Sequence, residues 1–207
     1  MLQRMKPATT KSAADTRAAK PAGDTRTAIL KRAELYLQDA GFSSFSFRDL
    51  AADLGIKSAS VHYHFPSKED LGAAMLQRYR ERFERWVESR RHSGSPKADL
   101  LEWFEYYRHL ARTGRICPGG AFGAEYSALP ERVQRELTAL EERQRNWLRA
   151  TLKAGRKLGE IRAEGKVEDQ AEMVLATLQG ATQVARTTGS LKTFESILQQ
   201  LKVTLFG

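Results

Sequence analysis

Ser46-Phe47-Arg48-Asp49-Leu50-Ala51-Ala52-Asp53-Leu54-Gly55-Ile56-Lys57-Ser58-Ala59-Ser60-Val61-His62-Tyr63-His64-Phe65 is the stretch on which the fold turns. Ser46 followed three residues later by Asp49 sets up a helix N-terminus close to a capping box. Phe47, Leu50, Ala51 and Leu54 recur at helical spacing, and Gly55 stops the helix. A second, very short helix is predicted from Ser58 to His64, because Pro66 cannot continue it. Leu50, Ala51, Leu54, Ile56 and Val61 supply a small core between the two, and the small Ala51 lets the backbones approach. Two short helices on a tight link are the organisation of a helix-turn-helix, whose second helix enters the major groove of DNA. At 1.5 Å per residue that second helix spans roughly 10 Å, enough to read a few base pairs.

The polar residues of this segment suit a duplex. Ser58, Ser60, His62, Tyr63 and His64 offer hydroxyl and imidazole groups that bond base edges or phosphates. Lys57 and Lys68 flank the helix, and no acid lies between Asp53 and Glu69. Ser46 and Arg48 open the preceding helix, whose N–H groups and positive dipole end favour a phosphate. His62 and His64 are two apart and point to different sides of a helix, so no metal site is expected from them. No cofactor motif is found either: Gly119, Gly120 and Gly123 do not form a phosphate loop.

Outward from this motif the chain reads as helix throughout. On its N-terminal side a helix is expected from Thr25 to Ala40, with Asp24 as N-cap and Gly41 as stop. Residues 1–23 hold five Lys/Arg and one acid with no apolar period, and read as a flexible basic arm, either solvated or laid in a minor groove. On the C-terminal side a fourth helix is expected over 67–90, capped by Ser67 with Asp70. Leu71, Met75, Tyr79, Phe83 and Trp86 form its apolar stripe, and Lys68 at one end lies about 27 Å from Trp86 at the other at helical rise. It links a DNA-binding domain over 24–70 to a second domain over 91–207.

The second domain opens with an aromatic helix, about Lys97 to Arg112. Later helices are expected at about Pro130–Leu158, Val167–Thr187 and Ser190–Leu205. Trp86, Trp103, Tyr107, Phe122, Tyr126 and Trp147 are the candidate walls of a small-molecule pocket, with ordinary core packing as the alternative. Cys117 lies just before a predicted helix and near Arg112 and Arg115, a setting that lowers a thiol pKa and marks a candidate redox or electrophile sensor. The alternative is a small buried hydrophobe. The expected architecture is therefore all-α: an N-terminal three-helix helix-turn-helix domain, then a helical ligand-binding and dimerisation domain, about nine helices together.

Phe47 to Ile56 followed by Ser58 to Leu71 resembles the DNA-binding domain of the TetR family, most sharply in Tyr63-His64-Phe65-Pro66-Ser67-Lys68-Glu69-Asp70-Leu71. The resemblance covers about residues 25–90. It implies a homodimer joined through its last two helices, a repressor of transcription, and phosphate contacts at Tyr63 and Lys68. Some TetR-like regulators have a similar Cys-x-x-Gly segment, here Cys117-Pro118-Gly119-Gly120, and in a few of them a thiol senses electrophiles or oxidants. Ala59, Ser60, Val61 and His62 depart from residues common in the family, so base preference does not transfer. Two copies also meet a geometric demand, since recognition helices must sit about 34–36 Å apart to enter successive major grooves.

Composition sets the remaining bounds. The 207 residues carry a formal charge of +9, but residues 24–90 hold eleven bases against ten acids. The DNA reading therefore rests on local geometry and not on net charge. No long apolar run suggests a membrane span, the single cysteine excludes an internal disulfide, and a cytoplasmic protein is the default. The expected partners are double-stranded operator DNA, a second copy of the chain and an unidentified small-molecule effector, with no membrane. A second function class stays open, an enzyme or small-molecule carrier on a helical scaffold. No Ser/His/Asp, Cys/His or paired-carboxylate arrangement stands out for it.

Overall fold

The computed structural model describes residues 22–162 and 164–207. In chain order the helices are α1 (Ala22–Ala40), α2 (Phe47–Leu54), α3 (Ser58–His64), α4 (Lys68–Ser89), α5 (Pro96–Arg112), α6 (Pro118–Ala124), α7 (Glu131–Lys157), α8 (Val167–Thr188) and α9 (Leu191–Phe206). Short 3-10 turns at Phe42–Ser44 and Tyr126–Ala128 complete the described residues. Most boundaries fall within one or two residues of the sequence reading. The exception is α1, which begins at Ala22, so Asp24 lies in its first turn. There its charge interacts favourably with the positive end of the helix dipole, which is a different role from the expected N-cap. The expected basic arm falls, up to residue 21, outside the described residues.

Local chemistry accounts for the helix-turn-helix. The Ser46 hydroxyl accepts from the Asp49 backbone N–H, and the Asp49 carboxylate accepts from the Ser46 N–H at 2.8 Å, which completes a capping box. Gly55 then ends α2 in the left-handed region at φ 62°, where a side chain would be strained. Val61 is the buried residue of α3 and pins it against α2. A second capping box, Ser67 with Asp70, opens α4. Asp70 also accepts from Arg132 of α7 at 2.6 Å, so the start of α4 is tied to the second domain.

Two apolar cores result, and the chain does not divide cleanly between them at residue 70. The first gathers Ile29, Leu37, Phe42, Leu50, Val61, Phe65, Leu71 and Met75, and continues into Phe122, Val133 and Leu137. The second gathers Phe83, Trp103, Phe104, Tyr107, Leu148, Leu178, Phe194 and Leu201. Helix α4 contributes to both, its first half to the first core and its second half to the other. Within the first core Gly72 lets α4 come close to its neighbours: a Cβ there would meet Phe42 at 2.8 Å and Val133 at 3.2 Å.

Candidate functional site

The recognition face is built by α2 and α3. Burial of Val61 turns the other side of α3 outward, and Ser58, His62 and Tyr63 are exposed. Tyr63 is 79% exposed, an unusual state for a large aromatic residue with an apolar core close by. The His64 ring packs edge-on against it at 5.1 Å. His62 leans on Phe47 at 4.8 Å, with Nδ1 3.5 Å from the Pro66 carbonyl. Ser60 and His64 are half-buried. Arg48 and Lys57 are exposed beside this face, and the exposed Ser46 has its hydroxyl committed to the cap of α2.

Lys68 differs from expectation. Its ammonium donates to the Phe45 carbonyl at 2.5 Å and lies over the Phe42 and Phe45 rings. Burial pushes its pKa down, partly offset by the fields of Glu125 and Asp49. In this position the half-buried lysine braces the turn before α2. The family resemblance could not foresee this, because the two rings that draw the ammonium inward lie more than twenty residues away in sequence.

Behind the recognition domain α4, α5, α6, α7 and α8 enclose a cavity of about 340 Å³. Of the expected walls, Trp86, Trp103 and Tyr107 line it, and the candidate sensor Cys117 does so too. Trp147 stands one layer back, packed on Trp86 and Trp103 at 5.0 and 5.1 Å. Phe122 belongs elsewhere: it is fully buried in the first core against Phe42, with ring centroids 5.1 Å apart. Tyr126 is 46% exposed on the surface. Both lie at the far end of α6, past the turn that faces the cavity. Sequence reasoning also missed several lining residues, among them Tyr79, Arg82, Tyr106, Gln144 and Gln179. Tyr79, Arg82, Phe83 and Trp86 share one face of α4 at steps of three and four, a signal that was legible. Gln179, a polar residue between the buried Leu178 and Ala181, was another.

Cys117 also differs from expectation. Its sulfur accepts the Gly120 N–H at 3.2 Å and so caps α6, but the residue is buried. Burial pushes the thiol up to about 11, and the Gly120 N–H and the Tyr107 hydroxyl only partly counter this. The expected positive neighbours are occupied elsewhere: Arg115 pairs with Asp39 at 3.2 Å, and Arg112 is exposed.

Besides the Arg115–Asp39 and Arg132–Asp70 pairs, three polar ties join the recognition domain to the elements around the cavity. Glu34 of α1 receives Arg78 and Arg82 of α4, each at 3.0 Å. Burial raises the Glu34 pKa, and Arg82 and Arg78 pull it back. Glu125, at the end of α6, accepts from the backbone N–H groups of Phe42 and Ser43 at 2.5 and 2.9 Å and from the Ser43 hydroxyl. Gly41 just before them sits at φ 98°, where a Cβ would run into the Glu125 carboxylate. Arg186 of α8 donates to the carbonyls of Gln38 and Asp39, which lie in the last turn of α1 where carbonyls lack intrahelical partners. Each tie starts from an element that also lines the cavity: Arg82 itself, the start of α6, and Gln179 two turns before Arg186.

A protruding recognition helix, a bracing α4 and a helical second domain around a cavity define a single-chain helix-turn-helix regulator. Comparisons with known proteins agree. Residues 29–75 match the family described as bacterial regulatory proteins, tetR family, and residues 96–201 match the family described as tetracyclin repressor-like, C-terminal domain. The chain belongs to the TetR family of transcriptional regulators. It is 28% identical over 159 residues to the HTH-type transcriptional repressor DhaR of Mycobacterium sp. (strain GP1), covering 74% of this chain and 77% of that one. A TetR-family regulator from Agrobacterium tumefaciens superposes with a TM-score of 0.84 at 28% identity, over 90% of this chain and all of that one, 100%. A TetR regulator from Legionella pneumophila gives a TM-score of 0.78 at 27% identity, over 87% of this chain and 97% of that one. The family and these relatives are transcriptional regulators, not enzymes. Such regulators bind operator DNA, typically as dimers.

The raised Cys117 pKa makes a direct prediction. At pH 8 a thiol of pKa about 11 is ionised to about one part in a thousand. Alkylation of Cys117 by iodoacetamide should therefore be at least a hundredfold slower in the folded protein than in urea. Equal rates would restore the reactive-thiol reading.

Proposed function

We propose that the chain is a cytoplasmic repressor that grips its operator as a homodimer and lets go when a small molecule fills the cavity. The observation that carries the DNA reading is the exposed Tyr63 on an α3 whose Val61 is fully buried. Ser58, Ser60, His62, Tyr63 and His64 face the groove, and Arg48, Lys57 and the α2 N-terminus at Ser46 meet phosphates. Lys68 supports that surface from inside. The relative named a repressor favours repression as the mode.

The homodimer reading rests on α8 and α9. Met173, Thr177, Gly180 and Val184 follow one another at steps of four, three and four along an outward face of α8. Met173 and Val184 are exposed there, and Val203 is exposed on α9. Gly180 has open space where a Cβ would project. No neighbour within the subunit therefore demands the glycine, and close approach of a partner helix would.

Release follows from the three ties. A ligand that moves α4, α6 or α8 shifts the anchor points of α1, and the spacing of the two α3 helices shifts with them. To invert a 99:1 population the ligand must favour the released state by about 5.5 kcal/mol. Thiol modification at Cys117 is a second possible route. It is the weaker one, because the thiol is buried and held protonated.

Fluorescence anisotropy on the DNA upstream of the chain's own gene tests the regulator reading. Saturable, sequence-dependent binding that weakens with salt is expected, and Tyr63→Ala should weaken it at least tenfold with an unchanged melting temperature. Binding no tighter than to scrambled DNA would refute operator recognition. For the dimer, Gly180→Arg should leave the helical content intact and convert the protein to monomer in sedimentation velocity. A dimer that survives this change would place the interface elsewhere.

A further inference from the structure

Several polar groups around the cavity already have partners. Glu102 accepts from the Trp86 indole at 2.9 Å and pairs with Arg90 at 2.8 Å. Arg82 is engaged by Glu34, and the Cys117 sulfur by Gly120. Two lining atoms are different. The Tyr79 hydroxyl and the Gln179 amide nitrogen are buried and have no hydrogen-bond partner among the described residues. The remaining walls are rings: Phe83, Trp86, Trp103, Tyr106 and Tyr107.

The two unmet groups share a chemical sense. An amide nitrogen only donates. The Tyr79 hydroxyl can donate or accept, but burial and the nearby Glu34 carboxylate keep it protonated, so its proton is available. The Arg82 guanidinium adds positive charge on the same wall. A cavity with donors left over calls for acceptors on its occupant, because a buried donor without an acceptor is costly. A purely apolar ligand would leave both groups unmet, and a cationic one would face Arg82 and two donors. The rings set the rest of the shape. Trp103 and Tyr107 meet edge to face at 5.2 Å, and so do Tyr106 and Tyr107 at 5.4 Å. Such walls present both faces and edges to another flat ring. A volume of about 340 Å³ lies at the small end of ligand pockets.

We propose that the cavity takes a small, flat aromatic molecule bearing an oxygen acceptor, a carbonyl or a carboxylate, that accepts hydrogen bonds from the Tyr79 hydroxyl and the Gln179 amide. This inference rests on the effector-release reading above and names the chemical class of that effector.

The test uses the chain's own fluorophores. It has three tryptophans; Trp86 and Trp103 line the cavity, and Trp147 touches both. Tryptophan emission of the DNA-free protein therefore reports occupancy. Naphthalene, 2-acetonaphthone and 2-naphthoate share one ring system and differ in the acceptor: none, neutral or anionic. At least one of the two oxygen compounds should bind about tenfold more tightly than naphthalene. Tyr79→Phe and Gln179→Met should each shrink that preference about three- to tenfold and leave naphthalene binding unchanged, which also shows that the variants fold. Equal affinity for all three compounds, a preference that survives both substitutions, or no binding by any of them would overturn the proposal. None of those outcomes touches promoter binding by the free protein, so failure of the ligand class and failure of the regulator reading are told apart.

Discussion

The structure depends on a carboxylate placed where carboxylates are costly. Glu34 sits on α1 with most of its side chain out of water. Burial disfavours its charge, and only the two guanidiniums of α4 make the placement tolerable. A buried ion pair of this kind is weak evidence for stability, but breaking it from one side leaves an uncompensated charge. Its contribution is positional. The charge is satisfied only when the Glu34 turn of α1 faces the stretch of α4 that carries Arg78 and Arg82. Apolar packing between the same helices would accept small slips that the ion cluster does not.

That constraint gives the rest of the fold its direction. Helix α1 is fixed to α4 by the cluster, to α8 by Arg186 and, through the turn after it, to the end of α6 by Glu125. Helices α2 and α3 ride on α1, held by their small shared core and by the Asp53 carboxylate, which takes the Tyr36 hydroxyl and the Arg32 guanidinium. Among the described residues these anchors lead from the recognition surface to elements that line the cavity. In the proposed dimer this arrangement would let a sub-ångström change at the cavity be read as a change in the spacing of two recognition helices, because packed interfaces switch between arrangements more readily than they deform.

The sequence made the local chemistry legible and the tertiary chemistry only in part. The α2–α3 motif could be read almost residue by residue, because caps, the glycine stop and the apolar triplets act over a few residues. Helix spans were legible for the same reason. What failed depended on which face of a helix meets which neighbour. Phe122 and Tyr126 are close to Cys117 in sequence, yet α6 carries Phe122 into the first core and leaves Tyr126 at the surface. The positive neighbours of Cys117 were counted along the chain, whereas in space Arg115 turns to Asp39 and the thiol faces an aromatic interior. The contacts of Lys68 were hidden for the same reason, since the two phenylalanines under its ammonium are distant in sequence.

The most direct measurement is the distance between the two recognition helices in the free dimer. Spin labels on Ser58→Cys, in a Cys117→Ser background, would report it by pulsed dipolar spectroscopy, with and without Glu34→Gln. With Glu34 intact the account predicts one narrow distribution compatible with the groove spacing of about 34–36 Å. With Glu34→Gln it predicts a broadened one, because α1 loses the charge that sets its position. Identical distributions in the two proteins would contradict the claim that this cluster holds the recognition domain in register.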